Sequence, residues 1–174
     1  MSTSRTAEIE TARLTLRGPL PGDLDAMHRV YSDPRAMRFW ATDPHPDRAT
    51  TQALLTRRMM RWAEVPANFQ IALDGRYVGN VGNYAGNEIG FMLSPYLWGQ
   101  GLLTEALAAA LPAIFDRTRH EVLTADVDPR NAASIALLRK FGFAETHRAE
   151  RTFFIGGAWA DSVSFALPRP EAGA

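Results

Sequence analysis

The chain has 174 residues, 46% of them hydrophobic and 22% charged, with 19 basic and 19 acidic side chains and no cysteine. That length suits one ordinary domain with a sizeable core, and a formal charge of zero argues against generic nucleic-acid or membrane-surface binding, which needs a basic excess. The missing cysteine excludes disulfides, thiolate metal sites and a cysteine nucleophile.

Residues 1–10 read as a flexible N-terminus. "RLTLRG" (13–18) alternates apolar and polar residues, as a half-buried strand does. "PGDLDAMHRVYSD" (21–33) opens on Pro and Asp, and Leu24, Met27, Val30 and Tyr31 form a helical stripe. A Pro-rich loop covers 38–47. The next helix covers 47–64, with Leu55, Met59 and Trp62 at helical spacing, and its "TRRMMR" (56–61) is a local basic patch. Residues 68–94 read as a meander turning at Asp74-Gly75 and again near Ala85-Gly86-Asn87. A helix over 101–116 follows, its broad apolar face interrupted by Pro112, which predicts a kink or an early end. "EVLTADVD" (121–128) is a strand and "PRNAASIALLRKF" (129–141) a helix stopped by Gly142. Two strands, 143–150 and 160–167, flank Gly156-Gly157, and 168–174 reads as a flexible C-terminus. The order β-α-α-β-β-β-α-β-α-β-β predicts an α/β protein with one mixed sheet and about four flanking helices.

Four scattered histidines lack metal-ligand spacing, so no protein-built metal site is expected. No apolar signal core opens the chain, and no apolar run approaches 18 residues. A cytoplasmic location follows as the expectation, without membrane or nucleic-acid partners.

Residues 92–107, "MLSPYLWGQGLLTEAL", set two glycines at the mouth of a helix. A helix N-terminus carries unpaired N–H groups and partial positive charge. Bare backbone just before it lets a phosphate approach, so Gly99 and Gly101 suit a phosphate cradle; they equally suit a tight turn and cap. Two known phosphate loops do not fit. No Lys-Ser/Thr completes a P-loop, and Thr104 stands where a dinucleotide fingerprint needs Gly or Ala. Further on, "NAASIALLRKFGF" (131–143) begins with Asn131, which can cap a helix or bind a ligand.

These two segments, in this order, resemble the acetyl-CoA-binding core of the GNAT N-acetyltransferases. The chain is similar in particular to their RimJ/RimL-like branch, which "TARLTLRGPLPGDLDAM", "MRFWATDPHPD" and "GGAWADSVSFAL" also resemble. The resemblance spans 11–167 and implies a single GNAT domain there: a mostly antiparallel sheet with one splayed parallel pair, "EIGFML" and "VLTADVD". It implies that Met92 and Leu93 pair with the pantetheine arm. The amides of Trp98, Gly99, Gln100, Gly101, Leu102, Leu103 and Thr104 would take the pyrophosphate. Asn131, with Ser134 one turn on, would contact the cofactor. Leu103 replaces the family's small residue and should turn into the core.

The implied reaction moves an acetyl group from acetyl-CoA to a primary amine, of a protein N-terminus or a small molecule. Without cysteine, direct attack in a ternary complex is expected. A lysine amine is roughly 0.04% neutral at pH 7, a handicap of about 4.6 kcal/mol, against about 1 kcal/mol for an α-amine. An α-amine therefore needs only a modest base. Glu88, at the start of the strand meant to carry the thioester, is the candidate base. Asp126 and Asp128 could orient the amine, though Asp128 could equally shape its turn. Glu105 suits the helix dipole. His45 could reach the acceptor. Trp40, Trp62, Tyr84 and Trp159 are candidate acceptor walls. Many relatives protonate the thiolate with a tyrosine seven residues after the asparagine. Leu138 stands there, so Ser134 is the candidate substitute. A monomer or homodimer is expected. Two rivals remain: a non-catalytic acyl-CoA-binding or sensory module, and a nucleotide-binding protein.

Overall fold

In the N-terminal half, alternating apolar residues build strands that cross one another antiparallel. The computed structural model describes residues 8–171. The strands are β1 (Ile9–Glu10), β2 (Leu14–Arg17), β3 (Asn68–Leu73), β4 (Arg76–Ala85), β5 (Glu88–Leu93), β6 (Val122–Val127), β7 (Ala144–Ile155) and β8 (Ala158–Pro168). The helices are α1 (Leu24–Tyr31), α2 (Pro34–Met37), α3 (Arg48–Glu64), α4 (Leu102–Thr118) and α5 (Ala132–Lys140). All eight strands form one sheet, ordered β1-β2-β3-β4-β5-β6-β8-β7. Every neighbouring pair is antiparallel except β5 and β6, which run parallel.

One face of the sheet sends Leu16, Phe69, Ile71, Val81, Leu123 and Phe165 against Leu107 and Ile114 of α4 and Leu138 of α5. The other face packs Tyr77 and Met92 against Met27, Tyr31, Met37 and Leu55 of α1, α2 and α3. The turn joining β3 to β4 is the expected one, with Asp74 and Gly75 both at positive φ (50° and 75°).

Several boundaries differ from the sequence reading. Residues 1–7 and 172–174 of the expected flexible ends lie outside the described residues. Ile9 and Glu10 pair with β2. At the other end β8 runs to Pro168, and the Arg169 guanidinium donates to the Phe115 and His120 carbonyls. Residues 34–37 add a short helix capped by the Asp33 carboxylate. Pro112 does not end α4, which runs on to Thr118. Its ring lies on the exposed face, while Leu111, Ile114 and Phe115 stay buried around it. Packing thus overrides the lost hydrogen bond. The stripe of α3 also shifts. Thr51, Leu55 and Arg58 are buried, whereas Met59 is exposed. "TRRMMR" is therefore no uniform surface patch.

Phe165 is fully buried between β6 and the helices. Phe165→Ala is expected to cost about 3–5 kcal/mol, seen as a lower urea midpoint with little change in m-value.

Candidate active site

The parallel pair gives the site its shape. β5 and β6 are in register only at Glu88 and Thr124. The Thr124 amide donates to the Asn87 carbonyl at 2.9 Å, and the Asn87 side chain donates to the Val122 carbonyl at 3.0 Å. Beyond this lock the strands part. Ser94 N–H donates to the Val78 carbonyl. By alternation, the main-chain groups of Met92 face β4 while those of Phe91 and Leu93 face the gap. This corrects the sequence reading: Leu93 and Phe91, not Met92, offer backbone to a ligand in the gap. Met92 turns its peptide groups to β4 and its side chain into the second core. The Leu93 carbonyl already accepts the Trp98 indole N–H at 2.9 Å.

A cleft of about 920 Å³ opens from this gap. At one end stands the N-terminus of α4. Gly99 and Gly101 have φ of 75° and 74°, the left-handed region that favours glycine. Gly101 is the helix N-cap and offers no side-chain cap, and the first helical bond is Glu105 N–H to the Gly101 carbonyl. The amides of Leu102, Leu103 and Thr104 are thus the helix's orphan donors. Trp98, Gly99, Gly101, Leu102, Leu103 and Thr104 line the cleft, and Gln100 does not. Leu103 both packs on the core and borders the cleft.

The start of α5 forms the opposite wall. Asn131 is the helix cap, its Oδ1 accepting the Ser134 amide at 3.2 Å. Both residues line the cleft, and among the described residues the Ser134 hydroxyl makes no hydrogen bond. Leu138 is fully buried in the core and stands away from the cleft. No proton donor sits at that position.

On the sheet's other face, Glu88 and Thr124 share a side by register, and Asp126 follows Thr124 by two residues. Both carboxylates line the cleft, and among the described residues neither forms an ion pair. Partial burial raises the Glu88 carboxyl above its ordinary value, and the Asp126 charge pushes it further the same way. Gly90 lies between Glu88 and Met92 on that side, and a Cβ there would strike the Tyr84 ring at 2.7 Å. The missing side chain lets Tyr84 floor the pocket. Trp40 is tilted against Tyr84 at 5.8 Å, and Trp159 meets Phe154 edge-on at 5.3 Å. Trp40, Tyr84 and Trp159 all line the cleft.

Other candidates fall elsewhere. Trp62 packs edge-on against Phe69 at 5.4 Å, away from the cleft. His45 stacks on Tyr31 and bonds Thr51 Oγ1 at 2.8 Å, and burial lowers its pKa. It does not line the cleft. Asp128 borders the cleft but is held by Arg130 across the turn at 2.6 Å, which keeps its carboxyl below the ordinary range. Sequence reasoning missed Arg58. It is buried and, among the described residues, has no carboxylate partner; it donates to the Tyr31 hydroxyl, to Asn80 Oδ1 at 3.1 Å and to Gln70 Oε1 at 3.3 Å. Asn80 in turn binds the Tyr84 hydroxyl, so this network backs the pocket floor. The available signal was the i, i+3 spacing of Leu55 and Arg58 on α3.

Residues 13–144 match the family described as an acetyltransferase (GNAT) domain. The chain belongs to the GNAT acetyltransferase family. It is an acetyl-CoA-dependent N-acetyltransferase, and the two rival readings of the sequence give way. Spermidine N(1)-acetyltransferase of Escherichia coli K12 is 25% identical over 151 residues, 83% of this chain and 80% of that protein. The [ribosomal protein uS5]-alanine N-acetyltransferase of the same organism is 33% identical over 91 residues, 52% of this chain and 46% of the other. Among solved structures, the RimL ribosomal L7/L12 α-N-protein acetyltransferase, in complex with coenzyme A, superposes with a TM-score of 0.79. Its identity is 18%, covering 92% of this chain and 97% of that one. This fold likeness agrees with the RimJ/RimL-like resemblance read from the sequence. Among the described residues, no cluster of His, Asp or Glu could hold a metal ion, and no helix is long and apolar enough to cross a membrane.

A carboxyl whose pKa is raised on folding stabilises the fold most below its unfolded value, and loses that contribution as pH rises through the folded value. Glu88→Gln is therefore expected to leave stability at pH 4 nearly unchanged and to raise the urea midpoint at pH 7. The comparison of the two midpoints measures it, and Asp126→Asn should shift the Glu88 titration down in carboxyl NMR.

Proposed function

We propose that the enzyme transfers acetyl from acetyl-CoA to a primary amine by direct attack in a ternary complex, the amine being a protein N-terminal α-amine or a small-molecule amine. The parting of β5 from β6 beside an uncapped helix N-terminus carries this reading. A pantetheine arm laid in the gap finds the free main-chain groups of Phe91 and the Leu93 N–H. Its diphosphate then meets the amides of residues 102–104, where bare glycine backbone and the helix dipole favour an anion. The Asn131 Nδ2, without a hydrogen-bond partner among the described residues, and the Ser134 hydroxyl border the same arm from α5.

The thioester then lies in the gap, with donor on the α4 and α5 side and acceptor on the side of Glu88 and Asp126. The acceptor arrives as an ammonium, which two carboxylates without cations of their own attract. Glu88 takes one proton, directly or through water, and its raised pKa makes it a stronger base than an ordinary carboxylate. The neutral nitrogen attacks the carbonyl carbon, the C–S bond breaks, and the proton that the new amide nitrogen sheds passes through the Ser134 hydroxyl to the departing sulfur. With Leu138 in the core, much of the rate comes from placing the two reactants and from strand amides that polarise the carbonyl. The relatives act, by their names, on spermidine and on a ribosomal-protein alanine. Both are amines of the proposed kind.

A panel of peptides with free N-termini and of small amines, scored by thiol release from acetyl-CoA, tests the reading. Release with none of them would overturn it. Glu88→Gln is expected to lower kcat/KM by about 100-fold or more and to remove the acid limb of its pH profile, because a protonated Glu88 cannot accept the amine's proton. A variant that keeps that limb would take the base role from Glu88. Gly101→Val, forced into left-handed backbone at a cost of about 1–3 kcal/mol, is expected to raise KM for acetyl-CoA about tenfold while KM for the amine changes little.

A further inference from the structure

The diphosphate cradle is braced from a distant part of the chain. Gln100 sits between two glycines in left-handed backbone, so the loop has little stiffness of its own. Among the described residues, one side chain hydrogen-bonds to the main chain of 99–101: Arg13, whose Nη1 donates to the Gln100 carbonyl at 2.9 Å. The same guanidinium grips the first turn of α4, its Nε donating to Glu105 Oε2 at 2.7 Å. The other Glu105 oxygen accepts the Arg13 main-chain N–H at 2.8 Å and the Thr11 hydroxyl at 2.6 Å. Thr11 is itself fixed, its amide donating to the Leu14 carbonyl and its Oγ1 accepting the Leu14 amide. The anchor is therefore the start of β2, at the sheet's far side in sequence.

This arrangement answers an electrostatic problem. Glu105 favours the helix dipole, yet it places a negative charge one turn from where an anionic diphosphate would bind. The hydrogen bonds from Thr11 and Arg13 hold its carboxyl below the ordinary range, so it stays charged. Its charge needs a counter-cation, and the loop 98–104 contains no Lys or Arg. Arg13 supplies that cation. It also holds the Gln100 carbonyl, a dipole of the wrong sign for a phosphate neighbour.

We propose that Arg13 is a positioning residue for donor binding. It neutralises Glu105 and pins the Gln100 carbonyl, so that the loop presents only N–H groups to the diphosphate of acetyl-CoA. The inference rests on the donor placement proposed above. Arg13 is not among the residues lining the cleft, so it acts through the loop rather than on the ligand.

Steady-state kinetics with two donors tests it: acetyl-CoA, and S-acetyl-pantetheine, which has the same thioester and arm but no diphosphate. Arg13→Ala is expected to raise KM for acetyl-CoA at least tenfold with kcat within about twofold, and to lose at least five times more kcat/KM with acetyl-CoA than with acetyl-pantetheine. Arg13→Lys keeps the charge but cannot bridge both acceptors, and is expected to recover less than half of the loss on a logarithmic scale. It also stands in if the alanine variant fails to fold. Equal losses with both donors, or no loss with acetyl-CoA, would overturn the brace and leave the donor site intact. A wild type that uses both donors equally well would overturn the diphosphate site itself, and the brace with it.

Discussion

A parallel strand pair that stops pairing after one register position is the constraint on which the rest depends. A strand inside a sheet ordinarily satisfies its peptide groups on both edges. β5 satisfies them toward β4 along its length and toward β6 only near Glu88. The lock at Asn87 and Thr124 joins the two strands at one end of the gap, and α4 and α5 pack their apolar stripes on one face of the sheet. The Trp98 indole ties the end of β5 to the loop that follows, so the gap leads directly to the helix N-terminus. Unpaired strand amides and orphan helix amides thus meet in one cleft. Both are costly in a folded protein unless a ligand or water completes them.

The two faces of the sheet are divided by chemistry. On the α4 and α5 side the cleft is bordered by Leu103 and Leu137 together with main-chain donors. On the other side it holds Glu88, Asp126 and aromatic walls. The floor there is backed by an unusual network. Arg58 is a buried cation whose neighbours are the phenol of Tyr31 and the amides of Asn80 and Gln70, with no carboxylate among them. Removing one partner from such a network leaves a buried polar group unpaired, which is costly. Tyr84 is held to this network through Asn80 and by the Arg58 guanidinium, 3.4 Å from its hydroxyl. Gly90 completes the floor by leaving room for the Tyr84 ring.

Much of this was legible in residue order, because some features are local. The Asp74-Gly75 turn, the glycines before α4 and the Asn131 cap need only their own backbone conformations, and each stands where its residue type predicts. The parallel pair followed from resemblance rather than from periodicity, which cannot say which strand lies beside which, and the order of the strands came from the structure alone. Other readings depended on what packs against what. Pro112 breaks a helix in isolation, but here its ring faces solvent while its neighbours are buried. Met59 and Arg58 are adjacent on α3, and hydropathy favours the wrong one, since only the tertiary partners Tyr31, Gln70 and Asn80 make an arginine tolerable inside. His45 looked free in a Pro-rich loop until Tyr31 and Thr51 claimed it.

The sequence by itself determined the glycine-flanked helix start, the leucine at position 138 and the absence of any cysteine route, since each is a property of residue type at a place in the chain. Tertiary structure alone decided that Phe91 and Leu93 rather than Met92 turn their peptide groups to the gap. It also decided that Glu88 and Asp126 share a face, and that Arg13 reaches Glu105 across 92 residues of chain. Those are facts of register and of distance through space, and a linear order of side chains does not contain them.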